Sequence, residues 1–327
     1  MKRRLFLRST IAVSAIPICG ISDITPTPLT TPLPIGKTPA MPVGEQEAIA
    51  SALGKKGTYN EAQATYSVPL PRNDLKVTVK GEPVPIPFGF GGWVAFKKTL
   101  DGKQTVMMSD SVLLEAEVNP LIDATHAAGL EIGAIHNHFF YEQPRIFYMH
   151  LHGMGDTADL AKKYAQAIRD TKLFPANQPA AATPPASPAP TGKDLFDLPA
   201  LDEITKYKGV VNGPTYKYTV GRDNVQIVAM GAEMTAAIGL NSWASFAGKQ
   251  DAAHIAGDIA MMEGEVNNVI KVLRRNNLEV VALHHHMLGD QPRTVFLHYY
   301  GRGPATDLAK GFRAALDQLG KTGKMQH

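Results

Sequence analysis

The chain contains one long segment twice, and this duplication limits its possible folds more than any other feature. Residues 117–170 and 265–318 align without a gap, and both carry E-V-N, H-x-H, Q-P-R, a later histidine, G-x-G and D-L-A-K in the same order. Weaker upstream matches, such as Trp93 with Trp243, extend each copy to about 125 residues, the usual size of one domain. The sequence therefore predicts two homologous modules.

Stretches of biased composition mark the borders of these modules. Residues 23–44 are rich in proline and threonine and residues 174–193 in proline and alanine, which is typical of extended tethers and linkers. We therefore expect an export leader at 1–22, a tether at 23–44, the first module at 45–173, a linker at 174–194 and the second module at 195–320.

The N-terminus has the features of a secretory leader. Arg3 and Arg4 precede a short apolar run that ends at Cys19 and is too short to span a bilayer. Both the twin-arginine route and the general export route fit this pattern, and both predict a periplasmic or extracellular location. Lipid anchoring at Cys19 is disfavoured, because Ile18 is larger than the residue usual at a lipoprotein cleavage site.

Charge and cysteine content exclude several classes of function. The leader holds four of the 33 basic residues and no acidic ones, so the mature chain has 29 basic and 30 acidic residues and is nearly neutral. This balance and the lack of a basic stripe argue against nucleic acid as a partner.

No later segment is apolar for long enough to predict a transmembrane domain. Because Cys19 is the single cysteine, any metal bound by the mature protein must use nitrogen and oxygen ligands.

Each module is expected to have an α+β fold. The order of predicted elements is a helix, two or three strands, and then a β-α-β-β-α core that is ferredoxin-like in outline. The predicted elements of the first module are a helix near 45–55, a helix from Pro120 to Ala128 with Asn119 as its N-cap, a strand at 130–140, a returning strand over Ile146–His152 and a helix over Thr157–Arg169. The duplication predicts that the two modules pack with pseudo-twofold symmetry.

Strand alternation places the repeated histidines on one face of each module. Successive side chains along a strand point to opposite faces, so His136 and His138 share a face, and His150 and His152 share one on the returning strand. The opposite face of the returning strand is apolar and suits packing under a helix; its residues are Phe147, Met149 and Leu151.

A turn centred on Gln143-Pro144 would set the register of these two strands. Position 138 then lies opposite 149–150, which predicts that His138 and His150 are close cross-strand neighbours.

The second copy repeats this arrangement with two changes. Tyr300 replaces His152, and His285 replaces Asn137 and should point to the opposite face. The remaining second-copy residues fall into a histidine face, with His284, His286 and His298, and an apolar face, with Val295, Leu297 and Tyr299.

Three imidazoles that converge from two adjacent strands favour a metal site, because histidine is the commonest ligand for zinc, copper, nickel and iron near neutral pH. The predicted metal ligands are His136, His138 and His150 in the first copy and His284, His286 and His298 in the second. The two sets line either a shared cleft or two equivalent sites. A structural network of hydrogen-bonded histidines is the alternative, since duplication would copy such a network equally well.

Two repeated glutamates are candidate catalytic residues. Glu117 and Glu265 precede helix starts, where each could act as a carboxylate ligand or a general base. The alternative is favourable placement of an acidic side chain near a helix N-terminus.

The motif string E-V-N, A-I-H-N-H and Q-P-R followed by histidine and G-x-G-D resembles the LppY/LpqO family, and the resemblance covers both copies. That family consists of exported bacterial proteins, some of them lipoproteins, with a domain of unknown function. The resemblance implies an exported location and no particular chemistry.

The function expected from these patterns is an exported metal-binding protein, with the question of whether it is an enzyme left open. The alternative is a non-catalytic envelope module that binds a small molecule, glycan or peptide through the same histidines. A third possibility is a tethered structural protein that contacts another envelope component.

Overall fold

The computed structural model describes residues 36–179 and 189–321, which belong to one compact unit. The predicted leader, Cys19, the tether up to residue 35 and linker residues 180–188 lie outside the described residues. The end of the predicted tether packs on the first module, where the buried Met41 donates its backbone N–H to the Tyr59 hydroxyl at 2.9 Å. In the described ranges, no helix is both long and apolar enough to cross a membrane.

The first module consists of a six-stranded antiparallel sheet, a small three-stranded sheet and three helices. Its strands are β1 (Thr58–Asn60), β2 (Thr65–Pro71), β3 (Val77–Val79), β4 (Glu82–Val84), β5 (Gly91–Lys98), β6 (Thr105–Leu114), β7 (Glu131–His136), β8 (Glu142–Gln143) and β9 (Ile146–Gly155). Its helices are α1 (Val43–Leu53), α2 (Glu115–Ala127) and α3 (Thr157–Ile168). The large sheet has the order β1-β2-β5-β6-β9-β7, and the small one has the order β4-β3-β8.

The second module repeats the large sheet strand for strand. Its strands are β10 (Val210–Asn212), β11 (Thr215–Gly221), β12 (Val228–Ala229), β13 (Ala232–Glu233), β14 (Asn241–Lys249), β15 (Ala252–Met262), β16 (Glu279–His284) and β17 (Thr294–Gly303). The remaining helices are α4 (Gly192–Leu195), α5 (Leu198–Thr205), α6 (Val266–Arg275) and α7 (Ala305–Leu316). The sheet order β10-β11-β14-β15-β17-β16 matches that of the first module position by position.

The predicted α+β class and the ferredoxin-like core are confirmed. In the first module the core runs β6-α2-β7-β9-α3, and β9 lies between β6 and β7 as in a split β-α-β unit. The strand β5, which precedes the core in the chain, pairs with the free side of β6 and completes the four-stranded arrangement.

The predicted start of the second helix is wrong by about one turn. Helix α2 begins at Glu115 rather than at Pro120, which lies inside it. The Glu117 carboxylate accepts the backbone N–H of Leu114 at 2.7 Å and so satisfies one of the free donors at the true N-terminus. Glu265 does the same for Met262 at 2.8 Å in the second module.

The molecule has four layers, with helices outside and the two sheets inside. The helix-facing sides of the sheets carry the predicted apolar residues, and Met149 and Leu151 are buried in the core of the first module. Val295, Leu297 and Tyr299 are buried in the equivalent core of the second module. The other faces of the sheets meet in mixed clusters, in which, for example, residues of β5 and β6 pack with residues of β15 and β17. The histidine faces of both modules are therefore directed toward the middle of the molecule.

Candidate metal centre

The six predicted histidine ligands of the two modules meet in a single group between the sheets. We call this group the histidine cluster, and it consists of His136, His138, His150, His284, His286 and His298. His136 and His284 end the equivalent strands β7 and β16, and their rings stack with centroids 3.8 Å apart. The structure thus brings the two sets into one shared cleft.

Each ring contact between the two modules in this cluster is repeated by the pair of equivalent residues with the modules exchanged. The His138 ring lies 3.8 Å from that of His298, and the equivalent pair, His286 and His150, is 3.9 Å apart. Reciprocal contacts of this kind define a twofold relation, whose pseudo-axis passes between His136 and His284. The predicted pseudo-twofold arrangement is therefore what the structure shows.

The predicted cross-strand register is wrong. Ala134 pairs with His150 and His136 with Tyr148, and β7 ends at His136 so that His138 lies beyond the strand. The turn residues Glu142 and Gln143 form β8 and pair with β3 instead of closing a tight hairpin. As a result His136, rather than His138, approaches His150, with the two Nε2 atoms 2.8 Å apart.

Four rings of the cluster are held in the same tautomer by backbone carbonyls. In each of them Nδ1 lies within hydrogen-bond distance of a carbonyl oxygen, and because a carbonyl can only accept, we assign the proton to Nδ1. The four pairs are His136 with Asn137 at 3.4 Å, His150 with Ser109 at 3.2 Å, His284 with His285 at 3.2 Å and His298 with Gly257 at 3.2 Å. The four Nε2 atoms consequently have free lone pairs.

Burial keeps these rings neutral. It lowers the pKa of His136, His150 and His298 well below the ordinary value and that of His284 to about 4, and neighbouring histidines lower the first three further. The Nε2 atoms of His136 and His150 are 2.8 Å apart. Because both rings are neutral and carry their proton on Nδ1, neither Nε2 atom has a hydrogen to donate to the other. A cation that accepts both lone pairs removes this conflict.

The spacing of the nitrogens is close to that of a metal site. The ligand nitrogens of His136, His284 and His298 lie within 4.8 Å of one another. Two ligand nitrogens of a tetrahedral zinc ion are about 3.4 Å apart, because each bond is about 2.1 Å long. Inward movements of the rings by about 1 Å would therefore complete the coordination. The Nε2 atoms of His284 and His298 have no hydrogen-bond partner among the described residues.

Two buried aspartates beside the cluster were missed by the sequence analysis. Asp110 in β6 is the register partner of His150, and Asp258 in β15 is that of His298; each carboxylate lies 3.8 Å from a nitrogen of its histidine. Burial raises the pKa of Asp110 to about 7 and that of Asp258 well above its usual range. Each is the one acidic residue of its strand, and the two occupy equivalent positions in the two copies; this repetition was the available signal.

The residue pair Asn137 and His285 has a structural role. The Asn137 amide donates to the carbonyl of Ile146 at 2.7 Å, and His285 Nδ1 donates to the equivalent carbonyl of Thr294 at 2.9 Å. Both side chains tie the two strands of the hairpin together. His285 is exposed and is the member of the H-H-H sequence that lies outside the cluster.

His152 and Tyr300, which differ between the copies, have different surroundings. The Tyr300 hydroxyl is 2.8 Å from His254 Nδ1, and His254 Nε2 is 2.9 Å from Glu82 of the first module. His152 instead lies against Gly133, where a Cβ atom would come within 2.4 Å of the imidazole. Tyr300 therefore belongs to a hydrogen-bonded chain that links the two modules.

The candidate catalytic residues Glu117 and Glu265 bind arginines. Glu117 accepts from Arg72 at 2.7 Å, and Glu265 accepts from Arg222 at 2.8 Å. Neither glutamate is among the residues that line the cavities beside the cluster.

Two cavities, of about 220 and 420 Å³, lie beside the cluster and share one wall. Trp93, Asp110, Lys217 and Trp243 line both, and we call the combined space the central cleft. The smaller cavity also reaches His150, His286 and His298, and the larger one reaches His138.

Comparison with known proteins gives a family and little else. The family model described as Domain of Unknown Function (DUF1259) matches residues 47–170 and again residues 199–318. No curated protein matches the chain.

Two solved structures of bacterial microcompartment shell proteins show a weak likeness. The trimeric shell protein PduB is 13% identical, with 81% of this chain and 94% of that chain covered and a TM-score of 0.20. The double-ringed trimeric shell protein MSM0271 from the RMM microcompartment is 10% identical, with 80% and 97% covered and a TM-score of 0.18. Nothing known of shell proteins is transferred to this chain at these values.

Proposed function

This chain belongs to the family described as Domain of Unknown Function (DUF1259) and contains its domain twice, and from the geometry of the histidine cluster we propose that it is a metal-binding protein. The two modules would share one metal centre. The metal would be held by His136, His150, His284 and His298, two from each module.

The carbonyl-bound Nδ1 atoms of these four rings are the observation that carries the proposal. Histidines that bind metals almost always donate their other ring nitrogen to a carbonyl or carboxylate, which fixes the tautomer and orients the ring. A purely structural histidine network would use the Nε2 atoms as well, yet those of His284 and His298 have no hydrogen-bond partner among the described residues. The arrangement supports a metal site better than the structural alternative.

The donor set favours a divalent transition metal. Imidazole nitrogens suit zinc, copper, nickel and iron, whereas magnesium and calcium prefer oxygen ligands. With four imidazoles bound, the metal would have a closed site; with three, a position would remain for water or another ligand. In either case a carboxylate oxygen of Asp110 lies 3.8 Å from His150 Nδ1, and one of Asp258 lies 3.8 Å from His298 Nε2.

We also propose that the protein acts outside the cytoplasm. The basic, then apolar N-terminus supports export, by the twin-arginine or the general route, and the resemblance to the LppY/LpqO family supports the same location.

Metal content tests the proposal directly. The full-length chain, purified without a polyhistidine tag and dialysed against zinc, copper, nickel or iron, should retain one metal ion per chain in mass spectrometry. His284→Ala should lose stoichiometric metal because it removes a central ligand, while His285→Asn should keep it. Wild-type protein that retains none of the four metals would refute the centre, and equal metal in wild type and His284→Ala would refute the ligand assignment.

A further inference from the structure

The central cleft contains a lysine that no acidic group pairs closely. Lys217 lies in β11, between Tyr216 and Tyr218, whose rings are buried on the helix side of the sheet, so alternation turns the lysine toward the other sheet. Its Nζ is 4.5 Å from the centre of the Trp243 ring. Among the described residues it has no carboxylate within 4.0 Å.

The surroundings of Lys217 suit an incoming anion. Burial lowers its pKa, and the nearby charge of Asp110 opposes that effect only in part. Lys217 is partly buried, and an ammonium group that has lost part of its contact with water is stabilised when it gains an anionic partner. A hydrogen bond from an ammonium to an anionic oxygen is among the stronger ones in proteins and would supply that partner.

The lysine breaks the pseudo-twofold symmetry of the cleft. The equivalent position in the first module is Ser67, which pairs with Ala95 as Lys217 pairs with Ser245. Both Ser67 and Lys217 line the smaller cavity, so one end of an otherwise symmetric space carries a positive charge. A ligand would therefore bind in one orientation.

The remaining walls limit the size and charge of the ligand. The smaller cavity, which adjoins the histidine cluster, has about 220 Å³ and is smaller than the pockets of about 300–1,000 Å³ that bind drug-sized molecules, so a ligand confined to it would be small. Lys217 is the one cationic side chain among the described residues that line this cavity, and a single ammonium neutralises one negative charge of a ligand. Two indole rings, Trp93 and Trp243, offer apolar surface for a flat ligand body.

We propose that the central cleft binds a small monocarboxylate with a flat apolar body, whose carboxylate pairs with Lys217 and whose body lies against Trp93 and Trp243. The carboxylate would bind beside the proposed metal centre, because the smaller cavity also reaches His150, His286 and His298. Its pairing with Lys217 does not depend on the metal and can be measured with and without it.

Tryptophan fluorescence is a suitable probe, because Trp93 and Trp243 are the two tryptophans of the whole chain and both line the cleft. Titration of the full-length protein with benzoate should change the fluorescence in a saturable way, and benzamide, its neutral analogue, should bind at least about tenfold more weakly. Lys217→Met should weaken benzoate binding at least about tenfold, whereas Lys249→Met, which alters an exposed lysine of the same sheet, should not.

Circular dichroism spectra should confirm that each variant is folded. Equal binding of benzoate and benzamide, or unchanged benzoate binding by folded Lys217→Met, would overturn the proposal, and so would tighter binding of inorganic phosphate. The titrations should be made on metal-loaded and on chelator-treated protein. Benzoate binding through Lys217 in a protein that takes up no metal would refute the metal centre alone, and stoichiometric metal without benzoate binding would refute the carboxylate site alone.

Discussion

The buried arginine–glutamate pairs hold the starts of the two core helices. Arg222 is 4% exposed and donates to Glu265 and, at 2.7 Å, to the carbonyl of Ala260. Burial raises the pKa of Glu265, but the hydrogen bonds from Arg222 and from backbone N–H groups outweigh it, so the pKa is lowered. Arg72 and Glu117 form the equivalent pair in the first module.

We expect Glu265→Gln to lower stability without loss of metal. The substitution keeps the shape but leaves the Arg222 charge buried and unpaired, a change that costs about 3–5 kcal/mol. Urea unfolding measures this loss, and metal analysis of the folded variant shows whether the site remains. The control is Glu263→Gln, an exposed glutamate two residues away. Loss of metal from folded Glu265→Gln would instead support the ligand role that the sequence suggested.

At the residue scale, strand alternation predicted which face of the sheet each histidine occupies, but it did not predict which residues of other strands lie beside it. It correctly put His150 and His298 on the face opposite the helix-packed residues, because period-two alternation depends only on local geometry. Lys217 was missed, since a single lysine in a strand is usually solvated and its burial depends on the other module. Asp110 and Asp258 were detectable as repeated acids within strands, but no local pattern shows that they adjoin histidines on another strand.

The β7–β9 and β16–β17 hairpins bring the ligands together, and their register was not predictable from the sequence. The prediction assumed a tight turn at Gln143-Pro144, whereas these residues belong to a longer loop that pairs with β3, about 60 residues earlier. Such non-local pairing leaves no mark on the local hydrophobic pattern. The loops therefore carry His138 and His286 beyond the ends of the strands.

The hairpin ties at Asn137 and His285 give a prediction at the element scale. His285→Asn should change stability by no more than about 0.5 kcal/mol, because asparagine makes the equivalent tie in the first module. His285→Ala should lose about 1 kcal/mol, the net contribution of one hydrogen bond. Urea unfolding compares the variants, and both should keep one metal per chain. Metal loss from both variants would place His285 among the ligands.

At the scale of the whole molecule, the duplication makes the centre a property of the interface. Neither module alone supplies more than two of the four proposed ligands, and the His136–His284 pair lies on the pseudo-axis itself. The repeat in the sequence predicted two equivalent modules, and it left open whether their histidine faces meet. Their meeting depends on the apolar surface that surrounds them, which includes Phe88, Phe139 and Tyr300 from both modules.

The buried titratable groups of this interface determine how stability depends on pH. Eight histidines have a lowered pKa, and they are His136, His138, His150, His152, His254, His284, His286 and His298. For His152, a shift from 6.5 to about 4 corresponds to about 3 kcal/mol. These groups bind protons in the unfolded chain at a pH where the folded protein does not, so they reduce stability as the pH falls through 6.5.

Three carboxyl groups act in the opposite direction. Asp110, Glu142 and Asp258 have raised pKa values, so in the same range they hold protons in the folded protein that the unfolded chain has lost, and they reduce stability as the pH rises. Eight histidines outweigh three carboxyl groups in the number of protons exchanged between about pH 4 and 6.5. Metal-free protein should therefore lose stability when it is acidified over this range.

Bound metal should add stability near neutral pH and lose this effect in acid. Metal stabilises the folded state by mass action, and protons compete with it for the histidine nitrogens. The urea midpoint should therefore rise with metal at pH 7.5, and the difference between metal-loaded and chelator-treated protein should vanish by about pH 5. Midpoints measured at pH 7.5, 6.5, 5.5 and 4.5 test both parts. A metal-free midpoint that stays constant or rises on acidification would show that the histidines are not buried neutral in the folded protein, and a metal effect independent of pH would show that they are not the ligands.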